Sequence, residues 1–347
     1  MKPSLGSIAR KPIGATDMTW LKSRLLHDDR GPLVMSPAVD GVDLVSWAQR
    51  NHDTIEINLR KHGGLLFRGF GPGSAPEFEQ FVKAVSGELL DYHERSSPRH
   101  QVLGRIYTST DYPPHQSIYF HNENSYQYVW PMKIFFMCQT PALEGGETPI
   151  ADTRAVLRFI SPAIVERFAQ KGCMYVRNFS DELGLSWQSV FQTEDRAAVE
   201  SYCRSVGITF EWLSGNRLRT RAVRPAVLKH PRTQQLVWFN HVAFFHLSTL
   251  DASVAEGLRL TMSEDELPNN TYYGDGSEIE PDVLDEIRNA YQRAGVSFAW
   301  EPGDILLLDN MLMAHSRTRY TGPRKVLVGM TEPFSSDKRE GHANDRR

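Results

Sequence analysis

The sequence predicts an all-β core with flanking helices, arranged as a double-stranded β-helix of the jelly-roll kind. Three observations predict it. Roughly a dozen short strand-like runs, separated by Pro and Gly, fill the chain beyond residue 100. They do not alternate regularly with helices, which argues against a parallel doubly wound sheet. No internal repeat, low-complexity linker or shift in composition divides the 347 residues into two domains. Two packed antiparallel sheets satisfy all three.

In chain order, residues 1–20 read as a loosely ordered arm, polar and broken by Pro3 and Pro12. A single domain is expected over 21–340, with helical insertions at about 152–206 and 250–295. "DGVDLVSWAQRNHDTIEINLRKH" (40–62) has helical spacing, with Val42, Leu44, Val45, Ile55 and Leu59 at three- and four-residue steps. "GGLLFRGF" (63–70) is a short buried strand. "SAPEFEQFVKAVSGELL" (74–90) is an amphipathic helix capped by Ser74. "GRIYTSTDY", "SIYFHNENSYQYVW", "KIFFMCQT" and "GETPIAD" are strand-like. Helix is expected over 152–172, 180–206 and 280–295, the last with Pro281 early. Strands fill "CMYVRNF", "ITFEWL", "LRTRAVRPAVLKH" and "QLVWFNH", then "SFAWEPGDILLLDN", "AHSRTRY" and "RKVLVGM".

Composition excludes several classes. The 39 basic and 42 acidic residues give a formal net charge of −3, so no broad field attracts nucleic acid or a membrane surface. Three unclustered cysteines, Cys138, Cys173 and Cys203, suit reduced thiols better than a disulfide framework. No run approaches the roughly 20 apolar residues of a membrane span, and the N-terminus lacks a signal-peptide core. A soluble, cytoplasmic protein is expected, with a homo-oligomer left open.

Chemistry concentrates in a few places. His121 and Glu123 lie two apart in "SIYFHNENSYQYVWP", and on an extended strand both side chains would share one face. One imidazole and one carboxylate make a poor metal site, so a third ligand has to come from elsewhere. His230, His241 and His246 sit in aromatic segments where histidines are usually structural. His315 differs: it follows a Pro-Gly-Asp turn, an apolar strand and Asp309-Asn310. Arg324 then opens another apolar strand, and an arginine there calls for an anion. Two histidines and one carboxylate on one face of iron(II) leave three positions open, and the arginine's planar fork suits a dicarboxylate.

These residues carry a resemblance. "HNENSY", "PALEGGETPIADTRAVL" and "GDILLLDNMLMAHSRTRYTGPRKVLVGM" resemble the taurine-dioxygenase family of iron(II)- and 2-oxoglutarate-dependent oxygenases. The likeness runs from "GGLLFRGF" to "RKVLVGM". "YHERSSPRHQVLGRIYTSTDYPPHQSIYFHNENSY" is similar to the subgroup typified by the amino-acid hydroxylase of syringomycin biosynthesis. The resemblance implies His121, Glu123 and His315 as metal ligands, with iron(II), 2-oxoglutarate and dioxygen as reactants. It implies Thr148 and an arginine as the grip on 2-oxoglutarate. The arginine falls on Arg324, although the short interval from His315 leaves Lys325 as the alternative; strand alternation admits only one of them inward.

What the resemblance implies for the reaction is hydroxylation of a carbon in an amino-acid-type small molecule, free or tethered to a carrier protein, in natural-product biosynthesis. Desaturation and cyclisation are alternatives from the same chemistry. Related halogenases lack the carboxylate that Glu123 supplies, so halogenation is disfavoured. A non-catalytic jelly-roll binding protein would be expected to have damaged ligands, and a zinc hydrolase would not need Thr148 and Arg324. For several residues two roles stay open. Asn124, Ser125 and Asn240 either reach the substrate or close local turns. Glu147 and Thr148 beside two glycines would by themselves read as a tight turn, as would Asp304. Asp309 or Asn310 either orients His315 or closes its strand. Arg95, Arg99 and Arg105 read by default as surface arginines.

Overall fold

The computed structural model describes residues 20–27, 30–71, 73–91, 94, 99–110 and 112–336. The expected arm lies outside them, apart from Trp20.

Strand Trp130–Thr140 explains the architecture, because both of its faces are buried. Met132, Ile134, Phe136 and Cys138 point into one apolar cluster, and Phe135 and Met137 into another. Its neighbour Ile305–Asp309 repeats the pattern, with Leu306 and Leu308 on the first face and Ile305 and Leu307 on the second. Such strands read as unbroken apolar runs because neither face meets water. They lie centrally in an eight-stranded sheet that runs, from edge to edge, Leu21–Leu25, Leu33–Pro37, Gly64–Phe67, Ile305–Asp309, Trp130–Thr140, Lys325–Phe334, Ile106–Thr108 and Gln101–Leu103.

A second sheet of four strands faces it: Gly295–Val296, Ile150–Asp152, Met313–Arg317 and Ile118–His121. Ile150, Met313, Phe298 and Trp300 complete the apolar layer between the sheets. The two sheets form the jelly-roll sandwich expected, without closing into a barrel. Helices cover the outer faces. Ala75–Ser86, with Ser74 and Glu77 forming a reciprocal capping box, buries Phe78, Phe81, Val82 and Val85 on the large sheet. Pro281–Ala294 buries Leu284, Ile287 and Tyr291 behind the small one. A further sheet, Ile208–Leu213, Arg217–Arg224, Cys173–Phe179 and Asn269–Tyr273, stands beside the sandwich.

Several expectations change in detail. The single helix expected over 40–62 is two, Leu44–Arg50 and His52–His62. Asn51 breaks it, and its Nδ2 donates to the Trp47 carbonyl at 2.9 Å, closing the first helix. Pro162 divides the 152–172 segment into Thr153–Phe159 and Pro162–Lys171, because its missing N–H and ring cannot continue the first helix. Strands Leu21–Leu25 and Leu33–Pro37 lie where no strand was expected, and they extend the large sheet at its edge.

Candidate metal centre

His121 and His315 are cross-strand partners in the four-stranded sheet, and their ring centroids lie 4.4 Å apart. Both are buried. His121 Nδ1 lies 2.8 Å from the Tyr119 carbonyl, an atom that only accepts, so the ring proton sits on Nδ1 and the Nε2 lone pair is free. Phe244 stacks on the His121 ring at 4.7 Å and holds its plane. Burial lowers the pKa of both imidazoles below the usual histidine value, well below it for His315. Both are therefore neutral at pH 7, the form in which a histidine ligates.

Glu123 reaches the pair by a different route from the one expected. The strand ends at His121, and a turn follows in which the Ser125 N–H donates to the Asn122 carbonyl at 3.2 Å. Asn124 takes a left-handed φ of 56°. The alternation of an extended strand is therefore not what aims Glu123. Asn310 aims it instead. Its Oδ1 accepts from the Glu123 N–H at 2.8 Å, and its Nδ2 donates to the carbonyls of Glu123 at 2.9 Å and Pro131 at 2.8 Å. Asn122 returns a bond to the Asn310 carbonyl at 2.6 Å.

One of the two open readings had Asp309 or Asn310 orient His315, but neither bonds to it. Asp309 accepts from the Met311 and Leu312 N–H groups and lies 3.0 Å from His230 Nε2. His230 Nδ1 accepts from the backbone of Arg232 and Thr233, so its proton is on Nε2 and its role is structural.

One donor atom each from His121, Glu123 and His315 lies within 4.8 Å of the other two. His315 Nε2 is 3.7 Å from a Glu123 carboxylate oxygen. Two imidazoles and one carboxylate, all buried, with one tautomer fixed by a backbone carbonyl, fit a first-row divalent metal. A guanidinium borders the same carboxylate: Arg99 Nη2 donates to both Glu123 oxygens, at 3.0 and 2.9 Å. Its side chain is 4% exposed, so the default reading of a surface arginine is wrong. Only its place in the subgroup-like stretch set it apart in the sequence.

Thr148 and Arg324 meet beside the histidines. Arg324 Nη2 lies 3.4 Å from Thr148 Oγ1, Nε donates to the Gly146 carbonyl at 2.8 Å, and Nη1 lies 3.3 Å from Ser109 Oγ. Gly146 has φ +75°, and a Cβ there would come within 3.0 Å of the arginine chain. Thr148 Oγ1 also accepts from Trp300 Nε1 at 3.1 Å, which leaves its hydroxyl proton to donate. No carboxylate forms an ion pair with Arg324 among the described residues. Burial, with Arg317 close by, pulls its pKa down to about 10, so it remains a cation at neutral pH. Arg317 is itself tied to the carbonyls of Tyr112, Pro113 and Gln116. Lys325 is exposed.

A cavity of about 400 Å³ opens over His121 and Glu123 on the side facing Phe244. Asn124, Ser125 and Asn240 do not line it. Ser125 Oγ bonds to His241 Nδ1 at 2.6 Å. Asn240 spends its amide on the Ala226 carbonyl and the Val242 N–H, closing a turn. His241 packs edge-on against His121 at 5.2 Å, from a segment where it read as structural.

Residues 29–331 match the family described as taurine catabolism dioxygenase TauD, TfdA family. The dapdiamide synthesis protein DdaC of Enterobacter agglomerans is 42% identical over 294 residues, 84% of this chain and 89% of the relative. A clavaminate synthase-like protein of Arabidopsis thaliana is 30% identical over 282 residues, 78% and 82% of the two chains. Among solved structures, PvcB from Pseudomonas aeruginosa superposes with a TM-score of 0.54 at 15% identity, covering 92% of this chain and 94% of that one. A taurine dioxygenase from Burkholderia xenovorans gives 0.52 at 15%, covering 92% and 93%. These two likenesses bear on the fold.

Proposed function

The chain belongs to the TauD, TfdA family of dioxygenases, and on that premise we propose that it is an iron(II)- and 2-oxoglutarate-dependent hydroxylase of an amino-acid-type substrate in natural-product biosynthesis. The observation that carries the reading is the buried triad of His121, Glu123 and His315 beside Arg324, a half-buried cation with no carboxylate partner among the described residues. When bound, iron(II), 2-oxoglutarate and dioxygen supply the oxidising chemistry. The chain's residues do the rest. His121, Glu123 and His315 would hold the metal. Arg324 would hold the far carboxylate of 2-oxoglutarate, and the free hydroxyl proton of Thr148 would donate to the same group. Phe136, 5.1 Å from the His315 ring, and Phe244 keep the centre dry.

The substrate side rests on the relative named for dapdiamide synthesis and on the subgroup motif. Both support an amino-acid-derived small molecule, free or carried on a protein. A single domain over 21–340 acting in the cytoplasm belongs to the same proposal. No helix among the described residues is long and apolar enough to cross a membrane.

Anaerobic titration with iron(II) and 2-oxoglutarate tests the reading. A weak visible charge-transfer band is expected only when both are present. The reading fails if no band forms, or if His121→Ala and His315→Ala leave iron binding intact.

A further inference from the structure

The metal-facing cavity is apolar over most of its surface. Ile118, Phe244, Leu247, Leu258 and Leu267 form its walls, and Leu183 and Leu250 stand at its mouth, 41% and 37% exposed. Leu247, Leu258 and Leu267 belong to one apolar cluster contributed by the segment 247–267, so this wall is built from outside the sandwich. The charged side chains facing the cavity are Arg99 and Glu123, which are paired with each other. His246, also at the wall, has a pKa lowered to about 4 by burial, with the charges of Arg288 and Arg259 adding to it, and is neutral at pH 7.

A substrate side chain bearing a carboxylate or an ammonium would meet no partner against Leu247, Leu258 and Leu267, and an unpaired charge there is expensive. A hydroxymethyl or methyl side chain would leave most of the space unfilled. Resting on the dioxygenase reading above, we propose that the substrate presents an extended apolar chain, leucine-sized or longer, which runs from the metal centre along the Phe244, Leu258 and Leu267 wall. Two sources share this chemistry: a free amino acid with an aliphatic side chain, and an aliphatic aminoacyl group held as a thioester. Leu183 and Leu250 at the mouth give either one an apolar way in.

The test uses the full-length protein loaded anaerobically with iron(II) and 2-oxoglutarate, and follows the shift of the charge-transfer band as probes are added. The probes are L-norvaline, L-norleucine and L-2-aminooctanoate, the N-acetylcysteamine thioesters of the same three, and L-serine and L-aspartate as polar controls. In at least one of the two series, affinity should rise about fourfold per added methylene until the cavity is full. The responding series identifies the source. Serine and aspartate should bind at least tenfold more weakly. Leu258→Trp should move the optimum to a shorter chain, and Leu258→Asp should abolish the length dependence.

A flat response in both series, or serine and aspartate binding as well as norleucine, overturns the apolar-chain assignment while leaving the cofactor chemistry standing. Absence of the band before any probe is added overturns the dioxygenase reading, and this assignment with it. The chain-length series on the unsubstituted protein decides the matter even if a Leu258 variant fails to fold.

Discussion

Replacing Asn310 by alanine should loosen the metal centre without touching a ligand. The change deletes three hydrogen bonds of 2.8 to 2.9 Å to fully buried backbone. Each contributes about 1 kcal/mol net, and the stranded Glu123 N–H and two carbonyls add their desolvation cost, so the loss is about 3–5 kcal/mol. Unfolding entropy of about 2.1 cal/mol/K per residue turns that into a Tm lower by roughly 4–7 °C for a chain of this length. With Glu123 no longer aimed by its own backbone, affinity for Mn(II) should fall by about 10- to 100-fold. Asn310→Asp should be worse, because it keeps the acceptor for the Glu123 N–H but turns a second oxygen toward two carbonyls. Calorimetric titration with Mn(II), alongside thermal melting, measures both effects. An Asn310→Ala protein within about 1 °C and twofold of wild type would refute the idea that this side chain positions Glu123.

Three further outcomes follow from the same geometry. Arg324→Met removes a charged grip of two hydrogen bonds and should weaken 2-oxoglutarate binding by at least about 100-fold in the charge-transfer titration; a change below about threefold would move the role to another residue. Arg99→Met leaves the buried Glu123 carboxylate without its cation, so the metal-free protein should lose about 3–5 kcal/mol and Mn(II) should restore most of it. Equal melting of variant and wild type without metal would exclude that pairing as a stabiliser. His246, its Nδ1 accepting from the Ser248 N–H at 3.1 Å, has a folded pKa of about 4 against 6.5 unfolded. Below pH 6.5 the unfolded chain takes up the proton first, so stability is full above that value and declines as pH falls toward 4. Urea midpoints should fall over this window less steeply for His246→Asn than for wild type, and identical slopes would remove His246 from the account.

How much was legible in the sequence depended on whether a residue's partners were local. The strands around Trp130–Thr140 and Ile305–Asp309 were readable because burial on both faces leaves unbroken apolar runs. The helix over 75–86 announced itself through its cap and periodicity. His121, Glu123, His315, Thr148 and Arg324 stood out through ordered motifs, and the structure brings the first three together and sets the last two side by side. The geometry joining them was not legible. Glu123 was read on a strand, whereas its turn is held by Asn310, which lies 187 positions away. Arg99 looked like any surface arginine because only the folded chain shows the carboxylate it meets. The apolar wall had no signature either: Phe244, Leu258 and Leu267 acquire a common purpose only when their segments pack over His121.

The cross-strand pairing of His121 with His315 also bears on how the protein comes apart. A metal held by both, and by Glu123, staples two distant parts of the chain together and closes a loop of nearly two hundred residues. In the chain-entropy treatment of a cross-link, a loop of that size restricts the unfolded chain by about 5 kcal/mol. The ion is thus a removable fastener across the small sheet, and a chelator should act on unfolding as a reductant acts on a disulfide. With the ion bound, the two strands of that sheet would stay together until a ligand let go.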